Sequence, residues 1–434
     1  MRRILPILAL VAVSACRPPS ARAQTPVAQE DAIEVLGRMR EAYGAGAHPE
    51  LLRHLQTLDR LTSNHPLLIY ELARAYALTG DTVRALATLE RLAPMGLGVP
   101  VMRDTAFTAL RGSAAFRGLA DRLAANAAPL VRSDTALALG DPDLLPESIA
   151  YDPVERAWYL GSLAHHEVVR VAPDGSVRDF AAMEEKGRVI GIKVDAPRRR
   201  LWVLETTWDT AAPRTYGGTG GWTSLRGYDL RTGREVARHA PPDRGAHLFN
   251  DLAVSSRGDL YVTDVHGNAV WRLRAGADAL EPLARGPRFH WGNGIALSPD
   301  ESRLYAAHLE GISVVDPRTG RMEPLRHPPA VAMADVDGLY ACPGSLVAVQ
   351  RMAHFQQVTR FVLSPAGDSI VAAEVLERSH PAYVDPTTGV VVGDSLFYIA
   401  NAQFRRLQDD LTLRPAERPH GTVVLRLPIG PGCR

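Results

Sequence analysis

Asn250-Asp251-Leu252-Ala253-Val254, Leu260-Tyr261-Val262 and Val270-Trp271-Arg272-Leu273 form one block of the 434-residue chain, and Asn293-Gly294-Ile295-Ala296-Leu297, Leu304-Tyr305-Ala306 and Ile312-Ser313-Val314-Val315 form a second. Each run is short, apolar and β-branched or aromatic, and turn signals such as Arg257-Gly258 and Pro299-Asp300 separate the runs, which is the pattern of strands. A third block lies upstream: Ser148-Ile149-Ala150-Tyr151-Asp152-Pro153, then Trp158-Tyr159-Leu160, then Val168-Val169-Arg170-Val171. Each block reads as inner strand, second strand, third strand and outer strand, the unit of a propeller blade. Equivalent points fall near Glu147, Gly191, Asn250, Asn293, Asp337 and Thr388, so six blades fit over 135–430. The Gly/Thr-rich segment 211–224 is an insertion in the second blade. Thr135-Ala136-Leu137-Ala138-Leu139 is expected to be the outer strand of the last blade, beside a third strand at Val423 to Leu427, so that ring closure hides the sheet edges.

Before the blades, 31–130 has helical spacing. Leu72, Ala73 and Tyr76 recur on one face, Gly80-Asp81 breaks the helix, and Ala85, Leu89 and Leu92 recur after it. The length and small-residue positions of His65 to Leu92 resemble a tetratricopeptide repeat, with weaker helix pairs expected at 31–62 and 101–128. The fold class is therefore mainly β: a six-bladed propeller after a small all-α helical-repeat domain. That domain is either a docking surface for a protein partner or a spacer.

Residues 1–23 read as an export signal, with Arg2-Arg3 before the apolar run Ile4 to Val13. Val13-Ser14-Ala15-Cys16 resembles a bacterial lipobox with a lipidated Cys16, and Ala21-Arg22-Ala23 offers ordinary cleavage. The expected location is the cell envelope or periplasm, with a lipid anchor if Cys16 is used. Export permits a disulfide between Cys342 and Cys433, although spacing does not set their distance. A net charge of +1 gives no field to recruit nucleic acid.

The chemistry lies at the starts of the inner strands. Glu147, Asn250, Asn293 and Asp337 occupy the same point in four blades and should converge at one mouth of the channel. Two carboxylates and two amide oxygens make a hard-oxygen set that suits calcium, with magnesium or manganese as alternatives. Asn and Asp beside Gly are also common in turns, but four equivalent positions in one repeat are not easily explained as turns. Asn250-Asp251-Leu252 with Gly258, Asn293-Gly294-Ile295-Ala296-Leu297-Ser298-Pro299-Asp300, and Asp337-Gly338 resemble the blade motifs of the regucalcin/gluconolactonase (senescence marker protein) family, and Glu147 matches its first-blade glutamate. The resemblance covers roughly 135–428. It implies a divalent metal, calcium or zinc, on these four residues beside a lactone or sugar-acid pocket. Paraoxonases share this layout, but their catalytic histidine would fall at Ile190, and the family's substrate-contacting arginine has no clear counterpart.

The propeller histidines, among them His165, His166, His239, His247, His266, His290, His308, His327 and His380, fall in loops assigned to the metal-mouth face. Two functions follow. The first is a metal-dependent lactone or ester hydrolase in which Asp251, His247 or His290 activates water and loops with Trp208, Trp291 and Phe404 hold a small-molecule substrate. The second is a non-catalytic propeller that binds a ligand or partner around a structural metal.

Overall fold

The computed structural model describes residues 31–433, apart from 63, 185–186, 208–221, 287, 353–354, 409–411 and 416–419. The expected export segment with Cys16 and Ala23, Trp208, and most of the 211–224 insertion lie outside the described residues.

Six four-stranded antiparallel sheets form the propeller. Their inner strands are Pro146–Asp152, Arg188–Asp195, Phe249–Val254, Ile295–Leu297, Val336–Cys342 and Gly389–Val392, which define blades 1 to 6. Blade 6 takes its outer strand, Asp134–Ala138, from the start of the propeller, with Thr135 opposite Leu425 and Leu137 opposite Val424. The ring closes as the alternating run at 135–139 requires, and no blade is left with an unfinished edge.

Blades pack through the faces that alternation turns toward neighbours. Trp271 and Trp202 join Leu204 and Phe249 in one buried cluster across blades 2 and 3. Close approach at the inner strands needs glycine: a Cβ on Gly294 would stand 2.6 Å from the Asp337 carbonyl oxygen of the next blade. On the face away from the mouth, Arg198 and Arg199 staple blades together. Arg199 pairs with Asp152 at 2.6 Å and Arg198 donates to the Ser256 carbonyl at 2.9 Å. Cys342, at the end of the blade 5 inner strand, is disulfide-bonded to Cys433 near the C-terminus.

The helical domain contains α1 (Ala32–Gly44), α2 (His48–Leu61), α3 (Pro66–Leu78), α4 (Thr82–Glu90) and α5 (Ala114–Asn126). Asp31, Asp81 and Ser113 cap the first, fourth and fifth through side-chain acceptors. Ala73 and Ala85 are fully buried where α3 meets α4. The expected helix pair at 101–128 is half helix: Thr105–Leu110 is a 3-10 segment and α5 follows. Asp104 and Ser113 compete for backbone N–H groups there, accepting from Ala106 and Phe116, and divide the segment.

This domain is fixed to the mouth side of blades 4 and 5. Its core includes Ala332, Ala334 and Phe355 from the propeller, and Trp291 packs among the residues of α1 to α3. Leu130 pairs with Arg378 on the blade 5 outer strand, and Ser133 donates to Glu377 at 2.7 Å. No described helix is long and apolar enough to cross a membrane.

Candidate active site

The inner strands of blades 1, 2, 3 and 5 carry a register break at the same level: between Pro146 and Ser148, Val189 and Gly191, Phe249 and Leu252, and Val336 and Gly338. Each break brackets the equivalent position, Glu147, Ile190, Asn250 with Asp251, or Asp337. A bulge re-aims a side chain that plain alternation would bury between blades. Two residues earlier, the chain is left-handed at Leu145, Trp291, Asp335 and Asp385, with φ of 40°, 57°, 50° and 61°. The entry loops of blades 1, 4, 5 and 6 are thus built alike, and the blade 6 equivalent of the acidic positions is Thr387.

Four carboxylates gather at this level. Glu147 is buried and held well above the usual carboxylate range, first by desolvation and then by the charge of Asp337, with Asp385 and Asp251 adding to it. Asp337 accepts from Arg351 Nε at 2.9 Å and from the Thr387 hydroxyl at 3.1 Å through Oδ2, while its Oδ1 is buried without a hydrogen-bond partner. Asn293 Oδ1 is in the same condition. Thr388 donates to the Glu147 carbonyl at 2.8 Å, which laces blade 6 to blade 1. Thr263 donates to the Asn293 carbonyl at 2.7 Å, which laces blade 3 to blade 4.

These orphaned buried oxygens fit a cation that prefers oxygen donors, since a buried acceptor without a partner is costly. Arg351 and Lys193 are the positive charges acting on this cluster, Arg351 on Glu147 and Asp337, and Lys193 on Asp251. Among the described residues no three His, Cys, Asp or Glu side chains stand at metal-binding spacing, and the Asn250 side chain makes no described contact with the carboxylates.

The three residues expected to activate water are each engaged elsewhere. Asp251 is buried, its pKa pushed up chiefly by desolvation, and its oxygens accept backbone N–H groups of Leu252 at 2.8 Å and Ile295 at 3.2 Å. His247 lies between Asp264 Oδ2 at 2.6 Å and Asp243 Oδ1 at 2.7 Å. His290 is buried against the helical domain, with Nε2 3.1 Å from Asp31 Oδ2, outside hydrogen-bonding direction. Other loop histidines are local staples as well: His166 bonds the Gly187 carbonyl, and His308 bonds Ser313, its pKa pushed down to about 3 by burial. The one-sided histidine distribution thus reflects loop fastening as much as chemistry. Trp291, expected at a pocket rim, belongs to the domain interface.

Three residues escaped sequence reasoning. Arg351 ends the second strand of blade 5 and lies over the Phe404 ring at 4.6 Å. Thr387 is the blade 6 counterpart of the acidic positions. Asp385 is buried, with Oδ2 unpartnered, and lines a cavity of about 400 Å³ between blades 5 and 6 together with Gln356, Ser379, His380, Tyr383 and Arg405. A charged side chain at a strand end, set against blade equivalence, was the available signal for Arg351. Asp385 had none, because Asp is ordinary in a turn. Leu145, Leu163, Ile190 and Leu407 form a buried apolar cluster that joins the entry of blade 1 to blades 2 and 6.

No protein-family model matches the sequence, and no curated protein matches it. Solved structures share the propeller. A gluconolactonase from Xanthomonas campestris aligns over 69% of this chain and 95% of its own at 16% identity, with a TM-score of 0.44. Virginiamycin B lyase from Staphylococcus aureus aligns over 67% and 97% at 13% identity, TM-score 0.46. The aldose sugar dehydrogenase of Streptomyces coelicolor aligns over 71% and 100% at 13%, TM-score 0.45.

Proposed function

We propose that the protein is a metal-dependent hydrolase of lactones or related esters, with Glu147, Asn293 and Asp337 as the core of a divalent-metal site and Asn250 at its edge. The observation that carries this reading is the pair of buried, unpartnered oxygens on Asn293 and Asp337 beside a glutamate whose charge is suppressed by burial and then by its acidic neighbours. Hard-oxygen donors favour calcium, with magnesium, manganese and zinc as competitors. When bound, the ion supplies Lewis-acid polarisation of a carbonyl.

The protein's own groups do the rest. Arg351 holds Asp337 in place through Nε and covers the site from the Phe404 side. Asp385 is assigned the general base: it lines the cavity, its Oδ2 is buried without a partner, and its charge helps raise the pKa of Glu147. A carboxylate oxygen with a free lone pair can accept a proton from an attacking water held within hydrogen-bond reach. Asp251, His247 and His290 are assigned to holding the strands and entry loops.

The engagement of those three residues also supports a second reading, a ligand-binding propeller with a structural metal. Asp385→Asn separates the two. In the hydrolase, the variant retains its metal and loses turnover by about 10²-fold or more on a panel of lactones and aryl esters. Metal-loaded wild-type protein with no chelator-sensitive turnover on that panel would leave the binding reading.

A further inference from the structure

The cavity between blades 5 and 6 is lined by two residues of opposite charge, Asp385 and Arg405. Asp385 carries a buried, unpartnered Oδ2 and acts electrostatically on Glu147. Arg405 is exposed and makes no ion pair or hydrogen bond among the described residues. Its neighbour Arg406 is fully engaged with Asp143 and the Pro142 and Arg414 carbonyls, so the contrast is not a property of the loop as a whole. His380 Nδ1 accepts from the Ala382 N–H at 3.0 Å, and the neutral ring therefore carries its proton on Nε2 as a donor. Tyr398 donates to Glu377 at 2.5 Å and accepts from Tyr383 at 2.9 Å, so the Tyr383 hydroxyl is already spent as a donor. The Arg405 guanidinium and the His380 Nε2–H are therefore available as donors to a ligand.

We infer that this cavity makes the enzyme selective for substrates that carry a free carboxylate, which Arg405 binds while the reacting carbonyl lies toward Asp385. This rests on the hydrolase reading and names its substrate class. The volume is that of a small-molecule site. A planar guanidinium matches a carboxylate in shape and in unit charge. A dianionic phosphate would leave one charge uncompensated in a cavity that already holds Asp385, so the monoanion is the better fit. Ser379 and Gln356 supply further polar groups along the same wall.

The test uses the metal-loaded full chain and two aryl esters of matched chain length, 4-nitrophenyl hydrogen glutarate and neutral 4-nitrophenyl pentanoate, each rate being corrected for enzyme-free hydrolysis. The wild type is expected to prefer the anionic ester by about tenfold or more in kcat/KM. Arg405→Gln brings the ratio near one, and Arg405→Glu inverts it, both variants being checked for unchanged melting. A binding arm uses glutarate, its diamide and inorganic phosphate in calorimetry. Glutarate alone should bind, and Arg405→Gln should abolish it. Glutarate binding without any ester turnover keeps the carboxylate site and removes the hydrolase. Turnover with equal rates on both esters, or phosphate binding as tight as glutarate, overturns the inference.

Discussion

Arg351 is the residue on which the acidic mouth balances. With its guanidinium gone, Asp337 and Glu147 lose their nearest compensating charge. Arg351→Gln should therefore lower stability in chelator by about 1–3 kcal/mol. Excess calcium should restore more of the melting temperature in this variant than in the wild type, because an ion that binds only the folded state stabilises it. An equal calcium response in both proteins would place the ion elsewhere. His247 gives a second prediction. Its pKa is raised, chiefly by the hydrogen bond to Asp264 and also by Asp243, whose own pKa is lowered to about 2 by His247. A base with a raised folded pKa stabilises the fold below its unfolded value of about 6.5, and that contribution is lost as pH rises through the folded value. Wild type should thus out-melt His247→Gln by most near pH 6 and by progressively less toward pH 8 and above. A gap that widens with pH would show that the ring is held neutral.

At the scale of elements, Asp31 has two duties. Its Oδ1 caps α1 by accepting from Ile33 at 2.8 Å, and its Oδ2 faces His290. Asp31→Ala should cost about 1–2 kcal/mol, and Asp31→Asn much less if the cap dominates. Thermal melts that place Asn with Ala would give the weight to the His290 contact. This junction is where the sequence was least legible. Strands could be read because period-2 runs recur in equivalent blocks, and the acidic positions could be read because the blocks align them. Nothing local marks Trp291 as an interface residue or Asp385 as buried: both depend on which loops a ring of blades brings together. The fastening contacts of the histidines were hidden for a related reason, since a loop must satisfy its backbone groups and imidazole does so as readily as it does chemistry.

For the whole molecule, closure of the ring is the largest cooperative feature. Leu137→Pro would place proline in the strand that completes blade 6 and should destabilise by about 3 kcal/mol or more, with increased exchange in Val423–Pro428 by hydrogen-exchange mass spectrometry. Exchange confined to 134–138 would mean the last blade stands without it. The Cys342–Cys433 disulfide supports the proposal of an exported protein, since such bonds persist in oxidising compartments. Changing Cys16 to Ser should then release the protein from the membrane fraction, and identical fractionation of both forms would remove the lipid anchor. The central claim is a divalent metal at the channel mouth that the hydrolysis requires. It is tested most directly by calcium titration of the chelator-stripped full chain, in parallel with Asn293→Ala and Asp337→Asn, while ester turnover is followed in the same samples. One ion per wild-type chain is expected, with turnover rising in step with occupancy and both lost in the two variants. Turnover that is full in the metal-free protein, or an ion bound equally by all three proteins, would contradict it.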